Sequence, residues 1–166
     1  MNCPSCGAPM RLKADMESFK CDYCQSVCFP EKNDEGVRVL DDPSGQDCPV
    51  CHAPLMHAVF GKVAIAYCTG CHGMLTPMQA LEGLVEQSQG GQDAEAAPAA
   101  PDTEDLRRKI DCPQCRRPMD AHLYAGPGNV VIDSCEECCL IWLDRGALLR
   151  IVHAAASIGT TSSEWE

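Results

Sequence analysis

The sequence predicts several small metal-stabilised domains in place of one large hydrophobic core, and three observations predict it. Fourteen of the 166 residues are cysteine, and twelve of them fall into six Cys-x-x-Cys pairs. Only eight residues are aromatic, which is thin material for a core at this length. The pairs also recur as a repeat. Cys3/Cys6 goes with Cys21/Cys24, Cys48/Cys51 with Cys68/Cys71, and Cys112/Cys115 with Cys135/Cys138.

The residues after each first pair repeat too: "CGAPM", "CHAPL" and "CRRPM" each place proline three and an apolar residue four positions past the second cysteine. Gaps of 14, 16 and 19 residues separate the two pairs of each module, enough for a short hairpin that brings two turns together. The start "MNCPSCGAPM" lacks the basic opening and apolar run of a secretory signal, so the thiols are expected in a reducing, cytoplasmic setting. At these spacings cytosolic cysteines read as metal ligands.

A Cys-x-x-Cys turn presents two sulfurs to one ion, and two such turns complete a tetrahedral tetrathiolate with no position left for water. The expectation is three structural Zn2+ sites in three zinc ribbons. Their ligands are Cys3, Cys6, Cys21 and Cys24, then Cys48, Cys51, Cys68 and Cys71, then Cys112, Cys115, Cys135 and Cys138. Binding the metal supplies the folding energy of such modules, on the order of 10–16 kcal/mol per site. His52 and His72 directly follow ligand cysteines and are alternative ligands in principle, but four cysteines already satisfy the ion. Cys28 and Cys139 are left over. They read as small thiols packed beside the knuckles, or as a redox-sensing or ligand-exchanging sulfur.

In order along the chain, ribbon one is expected over 1–28, an acidic linker over 29–47 and ribbon two with a helix over 48–86. A disordered linker over 87–105, ribbon three with a C-terminal helix over 106–158 and a flexible tail over 159–166 complete the chain. Residues 29–47 carry six acids against two bases, so much of the net charge of −11 lies between the modules. Each tetrathiolate adds about −2 more. The second linker, rich in Gln, Gly, Ala, Pro and acids, has no apolar periodicity, so the third module should move independently. Val63, Ile65 and Tyr67 alternate before Cys68, and Val130 and Ile132 before Cys135, as ribbon strands should. Thr76-Pro77-Met78-Gln79 reads as a helix start, and Asp144 as the cap of a second helix that stops at Gly159.

The stretch "CPQC…VIDSCEECCLIWLDRGAL" resembles the bacterial zinc-ribbon domains named for similarity to the zinc finger of transcription factor IIB. Cys112, Pro113, Cys115, Cys135, Cys138, Ile141, Trp142, Leu143, Asp144, Gly146 and Leu148 fall on that pattern. Cys139 and Leu140 stand where the pattern has glycines, and Ala147 where it has glutamate. The middle module keeps Gly73, Met74 and Leu81 but has no tryptophan, and the first is a bare ribbon.

No nucleophile and base, phosphate loop or open metal site is visible, so the expectation is a non-enzymatic zinc-binding adaptor that engages another protein or itself through helix 144–158. The alternative for that helix is packing on Met78, Leu81 and Leu84. A nucleic-acid or transcription-machinery partner is the second reading, resting on Arg107, Arg108, Lys109, Arg116 and Arg117 against a net charge of −11. A rubredoxin-like iron electron carrier is the third. Helix 144–158 is too short and too charged, through Arg145 and Arg150, to span a membrane.

Overall fold

The computed structural model describes residues 2–14, 18–88, 103–125 and 129–159. Strands dominate and helices are few. The first module is a three-stranded sheet of β1 (Met10–Leu12), β2 (Phe19–Cys21) and β3 (Val27–Cys28). The other two modules share one sheet. Its strands are β4 (Val37–Asp47), β5 (Pro54–Phe60), β6 (Val63–Tyr67), β7 (Met74–Pro77), β8 (Asp120–Leu123), β9 (Val131–Cys135) and β10 (Leu140–Leu143), in the spatial order β4-β5-β6-β7-β10-β9-β8. Helices α1 (Ala80–Ser88) and α3 (Ala147–Gly159) follow β7 and β10, and α2 (Thr103–Arg107) precedes the third module.

The join between the modules is the antiparallel pair β7–β10, with Leu75 opposite Trp142, Thr76 opposite Ile141 and Met74 opposite Leu143. Leu75 lies four residues past Cys71 and Trp142 four past Cys138, so equivalent positions of the two repeats face each other. The register is that of an isologous contact, an internal two-fold made by two unlike halves. Each half alone would present an open strand edge, and pairing removes both.

Alternation then sorts the side chains to two faces. On one, Tyr67, Met74, Ile132, Ile141 and Leu143 pack with Leu81 and Leu84 of α1 and Leu148, Ile151 and Val152 of α3. On the other, Leu75 and Trp142 pack with Leu55, Ile110, Met119 and the buried cysteines of modules two and three. Trp142 is fully buried, and a Cβ on Gly73 would lie 2.2 Å from its Cζ2. The third module's ring therefore lies over the second module's backbone, and only glycine leaves room for it. The first module joins through a smaller cluster, in which Met10 and Phe19 meet Leu40 and Val59.

The structure corrects several expectations. Most of the acidic segment 29–47 is not a linker, because Val37–Asp47 forms edge strand β4, bulged at two places and carrying Pro43 and three acids. Such an edge repels a further strand. The third module is not independent of the second. Of the linker expected over 87–105, Thr103–Arg107 is helical and residues 89–102 lie outside the described residues, as does most of the tail 159–166. Thr76 is a buried strand residue rather than a helix cap, and α1 begins only at Ala80. Helix 144–158 is not the free docking surface expected of it: Leu148, Ile151 and Val152 are core, so the packing alternative holds over its described side chains.

Asp144 does not cap α3 with its carboxylate, which accepts Trp142 Nε1 at 3.1 Å and both Arg108 terminal nitrogens at 3.1 and 2.8 Å. The free amide at the helix start, Gly146 N, instead donates to Glu35 Oε1 at 2.9 Å. A carboxylate from the supposed linker thus satisfies the positive end of a helix more than a hundred residues away in sequence.

Gly73→Ala is expected to destabilise the metal-loaded protein by about 1–3 kcal/mol through overpacking against Trp142. The cost should shrink sharply in a Trp142→Leu background. Urea unfolding of the two single variants and the double variant measures this coupling, and strict additivity would refute the contact.

Candidate metal centres

Each Cys-x-x-Cys pair is built by the same backbone turn. In the first five, the amide of the residue after the second cysteine donates to the carbonyl of the first: Gly7 to Cys3, Gln25 to Cys21, His52 to Cys48, His72 to Cys68 and Arg116 to Cys112. That residue takes a positive φ every time, from 60° at His52 to 73° at Gly7. The sixth turn puts Cys139 at φ 52°, with its amide on Glu136 O, and closes through the Cys135–Leu140 strand pair. Inside the turns, amides point at sulfur: Val50 N and Cys51 N lie 3.4 Å from Cys48 Sγ, and Cys71 N lies 3.4 Å from Cys68 Sγ. These N–H groups offset thiolate charge.

Three clusters result: Cys3, Cys6, Cys21 and Cys24; Cys48, Cys51, Cys68 and Cys71; Cys112, Cys115, Cys135 and Cys138. Within each, the four sulfurs lie within 4.8 Å of one another. Across knuckles, Cys3–Cys24 and Cys6–Cys21 are 3.5 Å apart, Cys48–Cys71 3.5 Å, Cys51–Cys68 3.4 Å and Cys115–Cys135 3.6 Å. A disulfide needs about 2.05 Å, whereas the edge of a tetrahedron with 2.3 Å metal–sulfur bonds is about 3.8 Å. All fourteen thiols are free of disulfides. The arrangement fits a metal ion in each cluster, and all twelve ligand positions expected from sequence are brought together.

Without an ion the four thiols divide their protons unevenly, as close thiols must. The Ser26 hydroxyl, together with the Ser26 amide, holds Cys24 down to about 6. The Ala8 amide also favours the Cys6 thiolate, but burial and the three neighbouring sulfurs push that thiol up to about 12. In the other modules the amides of Ala53 and Arg117 hold Cys51 and Cys115 down to about 7, while burial raises Cys71 and Cys138. A metal ion resolves this conflict by making every thiolate favourable at once.

His52 and His72 are not members of any cluster. They occupy the left-handed position of their turns. His72 Nδ1 lies 2.8 Å from Tyr67 Oη, which donates to Glu35 Oε2 at 2.9 Å and accepts Asn33 Nδ2 at 3.0 Å. Since the phenol has one proton and gives it to Glu35, His72 Nδ1 carries its own. The phenol stays neutral, held there first by burial and then by Glu35. Cys28 is half-buried beside Cys3 and Cys21, whereas Cys139 is exposed with its sulfur 3.5 Å from Glu136 O.

Two supporting residues escape a reading by motif. Arg108, counted in the basic run on which the nucleic-acid reading rests, turns inward to the buried Asp133 and to Asp144. Burial disfavours its charge, but the two carboxylates outweigh that and raise its pKa. Burial raises Asp133 in turn. One signal was present: an acid inside the apolar run "VVIDSC" needs a buried cation. Nothing in the sequence marks Glu35 as the partner of Gly146.

Compared with family models, curated proteins and solved structures, the chain matches none.

Cys71→Ser is expected to lower the metal content by one ion per chain, and His72→Ala to leave it unchanged. Elemental analysis of the purified variants distinguishes them, and a lost ion in His72→Ala would make the histidine a ligand.

Proposed function

We propose that this protein is a non-enzymatic zinc-binding adaptor, a protein-interaction protein built from three structural zinc ribbons. The observation that carries the reading is the closure of all three sites: four sulfurs each, within 4.8 Å of one another, with no histidine or carboxylate among them. A closed tetrathiolate has no position for water or substrate, so its ion stabilises structure. Sulfur-only ligation at tetrahedral spacing favours zinc, with iron as the other candidate.

The third module's likeness to the zinc ribbons named for transcription factor IIB supports the same class. Its Trp142, Leu143, Asp144 and Gly146 each have a defined place here, the glycine at φ 72°. Ala147, where that pattern has glutamate, is buried in the core, and Glu35 supplies the carboxylate at the helix start.

With α3 engaged in the core, the surface that suits another protein is on module one. Tyr23 is 84% exposed, Phe29 66% and Val27 42%, all at or just after the second knuckle. Exposed aromatic side chains of this kind are enriched where proteins meet. The basic run suits nucleic acid poorly, because half-buried Arg108 is paired with Asp133 and Asp144, Arg117 is paired with Glu137, and Arg116 lies 4.0 Å from Asp47. No described helix is long and apolar enough to cross a membrane.

Elemental analysis should find about three zinc ions per chain and no red, iron-type absorption, whereas one ion or fewer would overturn the reading. Tyr23→Ser with Phe29→Ser should lower affinity for a partner purified from the native host about a hundredfold or more at unchanged zinc content. Undiminished binding by that double variant would move the surface elsewhere.

A further inference from the structure

The three clusters are not equivalent. In module three, Cys112 and Cys135 are buried and Cys115 and Cys138 half-buried. Module two exposes Cys51 alone. Module one exposes both Cys6 and Cys24. The cysteines of modules two and three also line one shared core with Leu55, Leu75, Ile110, Met119 and Trp142, so opening either site disturbs the seven-stranded sheet. Module one has its own three-stranded sheet and meets the rest through Leu40 and Val59. It can open alone.

We infer that the module-one site is a redox-responsive metal site, which under peroxide releases its ion first and closes a Cys3–Cys24 disulfide while the other two sites keep theirs. This rests on the reading that the clusters hold zinc. Cys24 is one of the two exposed cysteines of module one, with its Sγ 3.1 Å from Ser26 Oγ and 3.5 Å from Cys3 Sγ on the opposite knuckle. The Cys24 thiolate attacks one oxygen of hydrogen peroxide. An S–O bond forms, the O–O bond breaks, and the departing hydroxide takes a proton to become water. The Cys3 thiolate then attacks the resulting sulfenic sulfur. An S–S bond forms, the S–O bond breaks, and a second water leaves with a second proton. The sulfur pair loses two electrons and the peroxide gains two. With two of its four thiolates consumed, the site would keep only Cys6 and Cys21 as ligands and would no longer hold a zinc ion.

The test uses the full-length, metal-loaded protein, with zinc counted before oxidation. A starting count of one or fewer overturns the zinc reading itself, separately from the redox response. Limiting hydrogen peroxide is then added, released zinc is monitored with a chromogenic chelator, and the cysteines are mapped by differential alkylation and peptide mass spectrometry. One equivalent is expected to leave at least about tenfold faster than the other two, with Cys3 and Cys24 linked and the cysteines of modules two and three still alkylatable after chelation. Simultaneous release from all sites, first release from module two through exposed Cys51, or a first phase without the Cys3–Cys24 bond would overturn the inference. Cys24→Ser should hold two ions and lack the fast phase, and a fast phase persisting in that variant would refute it equally.

Discussion

Mutual repulsion of close thiolates is the constraint on which the structure depends. Four sulfurs within 4.8 Å cannot all ionise unless a cation lies among them, and the split preferences of Cys24 and Cys6 express that conflict. Six copies of one backbone turn assemble the sulfurs, each with a left-handed residue after its second cysteine. That requirement accounts for Gly7 and for the glycine that the resembled family places where Cys139 stands. It also explains why His52 and His72, adjacent to ligands in sequence, point elsewhere. With so few aromatic residues, an ion in each cluster would do the work that a larger core does elsewhere.

Above the turns, modules two and three are two halves of one object. Each module leaves an unpaired strand after its second knuckle, and the two strands complete each other around Leu75 and Trp142. The halves are unlike where they touch: a tryptophan over Gly73 on one side, and Leu75 and Leu140 at the equivalent positions on the other. Unequal residues at equivalent positions favour the pairing of these two different modules over the pairing of two identical ones. Within module three, Arg108 ties the start of the module to β9 and to the end of β10 through Asp133 and Asp144. Glu35 spans the join, tying the stretch before β4 to Tyr67 of module two and to Gly146 at the start of α3.

Module one stands apart from this arrangement. It exposes more sulfur and more aromatic surface than its neighbours, and it carries Tyr23 within the knuckle that holds Cys24. The chain thus combines a rigid pair of metal sites with one accessible site. Protein contact at module one and metal release from it would influence each other, because both use the same turn.

Local chemistry made much of this legible in the sequence by itself. The ligand set came from the repeat, since Cys-x-x-Cys spacing fixes sulfur geometry within a single turn. The strands before Cys68 and Cys135 came from alternation. Tertiary structure alone decided what each element meets. The segment 29–47 looked like a linker because its acids dominate the composition, yet Val37 and Leu40 are buried and Glu35 finds a helix end. The apolar α3 looked like a docking surface because a lone small module cannot cover it, but two modules sharing a sheet can. Arg108 read as part of a basic run for nucleic acid because its carboxylate partners lie 25 and 36 residues away. Spacing specifies bonds within a turn, whereas pairing of edges and charges far apart in the chain depends on a shape that exists only once the turns have closed.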